Sequence, residues 1–165
     1  MKLDPLDIKV IGEVMYQPRE SRGKLFYLDT KKGAVTPLSK KLFTAVLTQD
    51  NGFLGKLPEH EREDALVAQA ILSDEGGRFM EIPEIEPVDE FYWMAYFSEM
   101  VFTPGIEERL RKAVDVSKAI AKFRRILEQS PEDEELWRFF LEQKKTEEAR
   151  AWLEELNVAR DGELA

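Results

Sequence analysis

Residues 78–102, RFMEIPEIEPVDEFYWMAYFSEMVF, decide how this chain folds. A short extended run, Arg78–Ile82, stops at Pro83, and Pro87 hands the chain to a helix over about Asp89–Phe102. That helix carries Phe91, Tyr92, Trp93, Met94, Ala95, Tyr96, Phe97, Met100, Val101 and Phe102, which occupy nearly every side of the cylinder. An ordinary surface helix keeps one apolar stripe. The segment is therefore either the centre of a domain or a helix with one face reserved for a partner.

The stretches before it read as a small sheet and short helices. Ile8, Val10, Ile11, Val14 and Tyr16 suggest a first strand, ended by the polar turn QPRESRG. KLFYLD (24–29) and Ala34–Thr36 flank TKKG, a hairpin with Gly33 where the backbone needs φ > 0. Leu25 and Tyr27 face away from Phe26 and Leu28, so one aromatic of this strand faces outward or lies under a helix. Pro37–Leu47 reads as a short helix through Leu38, Leu42, Phe43 and Val46. Pro58 opens another helix, whose acidic first turns suit the positive end of the helix dipole, and SDEGG ends it before Arg78.

Downstream, Thr103-Pro104-Gly105 breaks the chain. Ile106–Ala113 and Val116–Gln129 follow as two helices or one bent one. Ser130-Pro131-Glu132-Asp133 is a helix start signal. The last helix, Glu134–Leu156, carries Leu136, Trp137, Phe140, Leu141, Ala149, Trp152, Leu153 and Leu156; Lys144-Lys145-Thr146 is the place for a bend, and a frayed tail is expected after Asn157. The expected fold class is α+β: one domain over 1–165, with a small N-terminal antiparallel sheet or hairpin packed on a mostly helical C-terminal part. Within it, 1–57 is β-rich and mildly basic, 58–158 is mainly helical and acidic, and 159–165 is the tail.

Composition narrows the function classes. At 165 residues, with 43% hydrophobic and 35% charged, the chain supports one globular core. No run approaches the ~18 apolar residues of a membrane helix, and MKLDPLDIKV does not read as a signal peptide, so neither is expected. The absence of cysteine excludes disulfides, thiolate catalysis and cysteine-ligated metals. The expectation is a soluble cytoplasmic protein without a membrane partner. Residues 1–60 hold ten Lys and Arg against seven Asp and Glu, a net +3; the rest holds fourteen against twenty-six, a net −12. So acidic a bulk argues against general binding to phosphate backbones.

LDTKKGAV, ALVAQAILSDEGGRFMEIP, KFRRIL, ELWRFFLEQ and EEARAWLEELNV stand here in the order and spacing of the bacterial uncharacterised protein family 0158 of the UPF series, which the chain resembles over about Glu61–Val158 and the hairpin near Tyr27–Val35. The resemblance implies a small cytoplasmic bacterial protein and carries over no catalytic residue, cofactor or partner. Ala119 and Ala121 stand where similar proteins have Gly-x-Gly, which favours a more continuous helix there. Ala95 and Tyr96 stand where similar proteins often carry acids. The region before Tyr27 and the segment Leu47–His60 depart from the family pattern.

Candidate chemistry is sparse. His60, the only histidine, sits among Glu61, Glu63 and Asp64, too few nitrogen ligands for zinc and better read as a solvated first turn. A nucleophilic set would need His60 with Ser39, Ser73 or Ser98, and none of these serines lies in a Gly-x-Ser-x-Gly elbow. Glu81, Glu84, Glu86 and Asp89 offer carboxylate pairs that any acidic chain supplies. No phosphate loop or dinucleotide fingerprint occurs, so no cofactor is expected. Lys24, Lys31, Lys32, Lys40, Lys41 and Lys56, with Phe26 and Tyr27, suggest a basic aromatic surface for single-stranded nucleic acid. Arg124, Arg125 and Arg138 offer a second cationic face, more simply read as partners of nearby acids.

With Phe91, Met94, Phe97 and Val101 assigned to the core, Tyr92 and Tyr96, with Trp93 beside them, become the candidate protein-interaction residues. The leading expectation is a non-enzymatic protein, regulatory roles included, that acts through contact with another protein or with itself. Behind it stand an enzyme or small-ligand protein using Asp, Glu, Arg and Tyr groups, and then a nucleic-acid binder through residues 24–56.

Overall fold

In the computed structural model, which describes residues 3, 5–100 and 116–163, the fold is α+β with a three-stranded antiparallel sheet. Its elements run α1 (Pro5–Tyr16), a 3₁₀ turn (Arg19–Ser21), β1 (Lys24–Asp29), β2 (Ala34–Ser39), α2 (Lys40–Leu47), α3 (Asn51–Leu54), α4 (Glu59–Leu72), β3 (Phe79–Glu81), α5 (Pro87–Met100), α6 (Val116–Leu127) and α7 (Pro131–Glu163). The expected helix at Ile106–Ala113 and the break at Thr103–Gly105 lie outside the described residues. No described helix is long and apolar enough to cross a membrane.

The sheet has the order β2-β1-β3, with Tyr27 opposite both Thr36 and Glu81. Gly33 closes the hairpin at φ 67°, as the turn sequence demands, and its N–H donates to the Asp29 carbonyl at 2.8 Å. Asp29 locks the same turn from its side chain. Its Oδ1 accepts the N–H groups of Lys31 and Lys32, while Arg78 donates to both carboxylate oxygens at 3.0 and 2.7 Å. One carboxylate thereby ties the hairpin tip to the start of β3.

Two expected elements are corrected. The first strand, Ile8–Tyr16, is helix α1. Its β-branched residues hide a helical spacing: Ile8, Ile11, Gly12 and Met15 fall at i, i+3, i+4 and i+7, and that stripe packs on Ala149 and Leu153 of α7. Burial against α7 outweighs β propensity. The N-terminal part is thus not mainly β. The second correction is Pro37–Leu38, read as helix but belonging to β2. Proline is tolerated there because β2 is an edge strand. Helix α2 starts only at Lys40, where the Ser39 hydroxyl accepts the Leu42 N–H at 3.3 Å.

Each face of the sheet has its own cover. Leu28 and Phe26 face Ile11, Met15 and Leu153, between α1 and α7. Leu25 and Leu38 face Leu42, Val46 and Ala68, under α2 and α4. Tyr27 lies under a helix rather than in solvent, stacked on Phe43 of α2 at 6.3 Å. A third core of Trp93, Met94, Phe97, Phe123, Leu127 and Trp137 joins α5, α6 and α7. Helix α7, about 50 Å long at 1.5 Å per residue, runs through Lys144–Thr146 and past Asn157 without interruption, and the early tail is not found. Its first half closes the helical core and its second half closes the sheet core. Helix α6 is likewise continuous through Ala119 and Ala121.

Helix α1 meets α7 closely at Gly12. A Cβ built there would stand 2.7 Å from the Lys145 carbonyl oxygen. Gly12→Ala is expected to cost about 1–3 kcal/mol through this overlap, more than the ~1 kcal/mol alanine gains in helix propensity. Urea unfolding measures the difference, and an alanine variant as stable as the parent contradicts the close approach.

Candidate functional site

The geometry of α5 sorts its aromatic residues by the 100° step of a helix. Trp93, Met94, Phe97 and Ser98 point into the helical core, whereas Val88, Tyr92, Ala95, Tyr96 and Glu99 share the solvent side. Tyr92 is 65% and Tyr96 58% exposed; Trp93, at 8%, is core and not part of this surface. Phe91 is half-buried, its ring edge-on to Tyr92 at 6.3 Å.

The surface does not end at α5. Tyr96 stacks on Phe140 of α7, with ring centroids 6.0 Å apart and planes 22° from parallel. Phe140 rests in turn on Phe97 at 5.6 Å and Trp137 at 5.7 Å. An exposed tyrosine is therefore held by a ring that is itself held by the core. One helical turn before Phe140 stands Leu136, 48% exposed, and Phe139 beside it is 65% exposed. Leu136 and Phe139 line an open groove of about 470 Å³ together with Glu132 and Glu135. Large apolar side chains grouped in this way on a surface mark interaction sites more often than single ones do. The sequence pattern places Leu136 only among the apolar residues of this helix and does not single out Phe139, although five apolar residues among the six at 136–141 cannot all face one core.

The polar groups raised from the sequence are mostly absorbed by the fold. Arg22 is buried and donates to the backbone carbonyls of Gln17, Ile82 and Pro83, the last two at 2.7 and 2.8 Å. Burial pulls its pKa down. Arg19 pairs with Glu81 and gives its backbone N–H to Glu84 at 2.7 Å. These contacts fasten the 3₁₀ turn to the β3–α5 connection and occupy two of the four candidate carboxylates. Glu86 and Asp89 lie in the following helix start, where Asp89 N–H donates to the Glu86 carbonyl.

A denser cluster sits where α1, α5, α6 and α7 converge. The Tyr16 hydroxyl donates to Glu90 at 2.7 Å and accepts from Arg124 at 3.2 Å. The buried Lys145 ammonium lies 4.6 Å from the Tyr16 ring centroid and reaches Glu13 at 3.2 Å and Glu142 at 3.1 Å. Burial raises the Glu142 pKa, but the bond and charge of Lys145, with smaller help from Glu13 and Lys9, together outweigh it and the net shift is downward. Burial, reinforced by the Glu90 carboxylate, pushes the Tyr16 phenol up to about 12. A phenol held neutral in this way is a poor base or nucleophile near neutral pH. The cluster acts as a clamp between helices.

The lysines do not converge. Lys31 and Lys32 are at the hairpin tip, and Lys24, Lys40 and Lys41 are at the other end of the same hairpin, where Lys24 stands opposite Ser39. The five intervening steps of β1 separate them by about 17 Å. Phe26 turns into the sheet core, Tyr27 is stacked on Phe43, and Lys41 lies over the Phe53 ring at 5.0 Å. Among the described residues, the ring beside these cations is Phe53, and Lys41 itself covers it. Lys56 is exposed on the loop before α4. His60 is exposed on the first turn of α4, its Nε2 3.8 Å from Glu61. Ser39, Ser73 and Ser98 spend their hydroxyls on local backbone groups. Arg125 and Arg138 face solvent. No model of a known protein family matches the chain, nor does any curated protein or solved structure, and the likeness to family 0158 rests on the quoted segments alone.

Proposed function

We propose that this is a non-enzymatic bacterial protein of the cytoplasm, similar to family 0158, that works by docking another protein on the joint face of α5 and α7. The observation carrying this reading is the Tyr96–Phe140 stack: an exposed tyrosine held on a half-buried phenylalanine whose own supporting rings are core. Tyrosine buries a large rigid area on binding and keeps a polar tip, and a ring already fixed in place loses little freedom when a partner arrives. Tyr92 extends the face one turn along α5, and Leu136 and Phe139 extend it along α7. A catalytic reading has less support, because the Tyr16, Arg19, Arg22 and Lys145 groups are each engaged in holding elements together.

The test is affinity capture from the cells that make the protein, with the parent and the double variant Tyr92→Ala/Tyr96→Ala as baits. Both sites are on the surface, so the loss of stability is expected to stay near ~1 kcal/mol, mostly from the stack on Phe140. Truncating two hot-spot residues costs a complex at least about 2 kcal/mol, so recovery of the specific partner should fall by roughly thirtyfold. Equal recovery of the same proteins by both baits, with circular dichroism unchanged, rules this face out.

A further inference from the structure

We infer that the partner segment is a basic amphipathic helix, an assignment that rests on the docking reading above and adds its chemistry. The apolar floor of the face, Tyr92, Tyr96, Leu136 and Phe139, is bordered by Glu99 on α5 and by Glu132 and Glu135 on α7. All three carboxylates are exposed, and among the described residues none has a cationic partner. Elsewhere on this chain acids near cations are used: Glu13, Glu81, Glu142 and Glu147 all carry ion pairs. Glu132 also favours the N-terminal turn of α7, but Glu135 lies beyond the last position that the helix dipole rewards strongly.

Two cations of α7 stand close by but are not paired with these acids among the described residues. Arg138 is exposed, about 120° around α7 from Glu132 and about 60° from Glu135 at 100° per residue, and forms no ion pair among the described residues. Lys144 lies over the Phe140 ring, 5.7 Å from its centroid, and is paired with Glu147 at 2.7 Å. An aromatic floor with an acidic border is complementary to a helix presenting apolar residues at i, i+3 or i+4, and i+7 with Lys or Arg beside them. A second copy of this chain is disfavoured on the same ground, since pairing the face with itself would set three carboxylates against three more. Nucleic acid is repelled outright.

Selection of a random peptide display library, with peptides of about 16 residues to allow four helical turns, on the immobilised full chain tests this, with Tyr92→Ala/Tyr96→Ala as counter-bait. Enriched peptides are expected to carry Lys or Arg beside apolar residues three and four apart. They should bind Glu99→Gln/Glu132→Gln/Glu135→Gln at least tenfold more weakly than the parent, and the parent's affinity should drop severalfold between low and high salt. Peptides that need the tyrosines but show no basic bias overturn the charge assignment and leave the docking reading standing. Peptides that bind the tyrosine variant as well as the parent overturn both. Parent chains that sediment as a dimer, with Tyr92→Ala/Tyr96→Ala a monomer, put a second copy on the face and overturn the peptide assignment.

Discussion

Trp137→Ala is expected to lower stability by about 3–5 kcal/mol, the largest loss foreseen for one side chain. Trp137 is 7% exposed and is the ring on which three helices meet: edge-on to Phe97 of α5 at 5.1 Å and to Phe123 of α6 at 4.6 Å. Removing it leaves a cavity between helices that α7 cannot collapse into, because the other half of α7 is fixed by Ala149 and Leu153 against the sheet. Domains of this size are stable by about 5–15 kcal/mol in total, so the variant should unfold at a much lower urea concentration. Far-UV circular dichroism follows the transition; a loss below ~1 kcal/mol would mean that the helical core is not centred on this ring. The effect should reach function as well. Phe140 leans on Trp137 at 5.7 Å and carries Tyr96, so the proposed docking face should loosen before the fold is lost.

How much of this was legible in the sequence depended on whether the deciding force was local. The hairpin was readable because TKKG has to turn and only Gly33 accepts φ 67° without strain. The burial of Met94 and Phe97 was readable, as was the exposure of Tyr92 and Tyr96, because a 3.6-residue period separates them. The same period should have moved Trp93 to the core, since it lies one turn from Phe97. Helix α1 was misread because Ile and Val suggest a strand until α7 is known to lie against Ile11 and Met15. Nothing in the sequence indicates that Lys145 is buried. Its ammonium is kept inside by Glu13, 132 residues away, and by the Tyr16 ring, contacts that exist only once α1 has docked. The candidate surface was half visible for a related reason. Its α5 side follows from one helix, but Leu136 and Phe139 join it only through the Tyr96–Phe140 stack between two.

Asp29→Ala is expected to cost about 2–3 kcal/mol at neutral pH and much less in acid. The carboxylate is 2% exposed and accepts four hydrogen bonds, two from Arg78 and two from the Lys31 and Lys32 N–H groups. Charge-assisted bonds of this kind contribute about 1.5–3 kcal/mol. The loss is kept from rising further because Arg78, with its side chain 37% exposed, can return to water. The titration gives an independent figure. The Arg78 bond, with help from the turn N–H groups, brings the Asp29 pKa down from 3.8 to about 2. A shift of this size is worth about 2 kcal/mol. Because the folded pKa is the lower one, this stability is fully present above the unfolded value near 4 and is lost as pH falls through about 2. Urea unfolding of parent and variant at pH 6, 4, 3 and 2 should therefore show a gap that is constant down to about pH 5 and closes by roughly 2 kcal/mol at the acid end. Arg78→Gln should remove most of the same pH dependence while leaving the two turn bonds in place. If the gap between parent and Asp29→Ala is equally wide at pH 6 and pH 2, the charge on Asp29 does not hold the hairpin tip to β3, and the loss comes from packing alone.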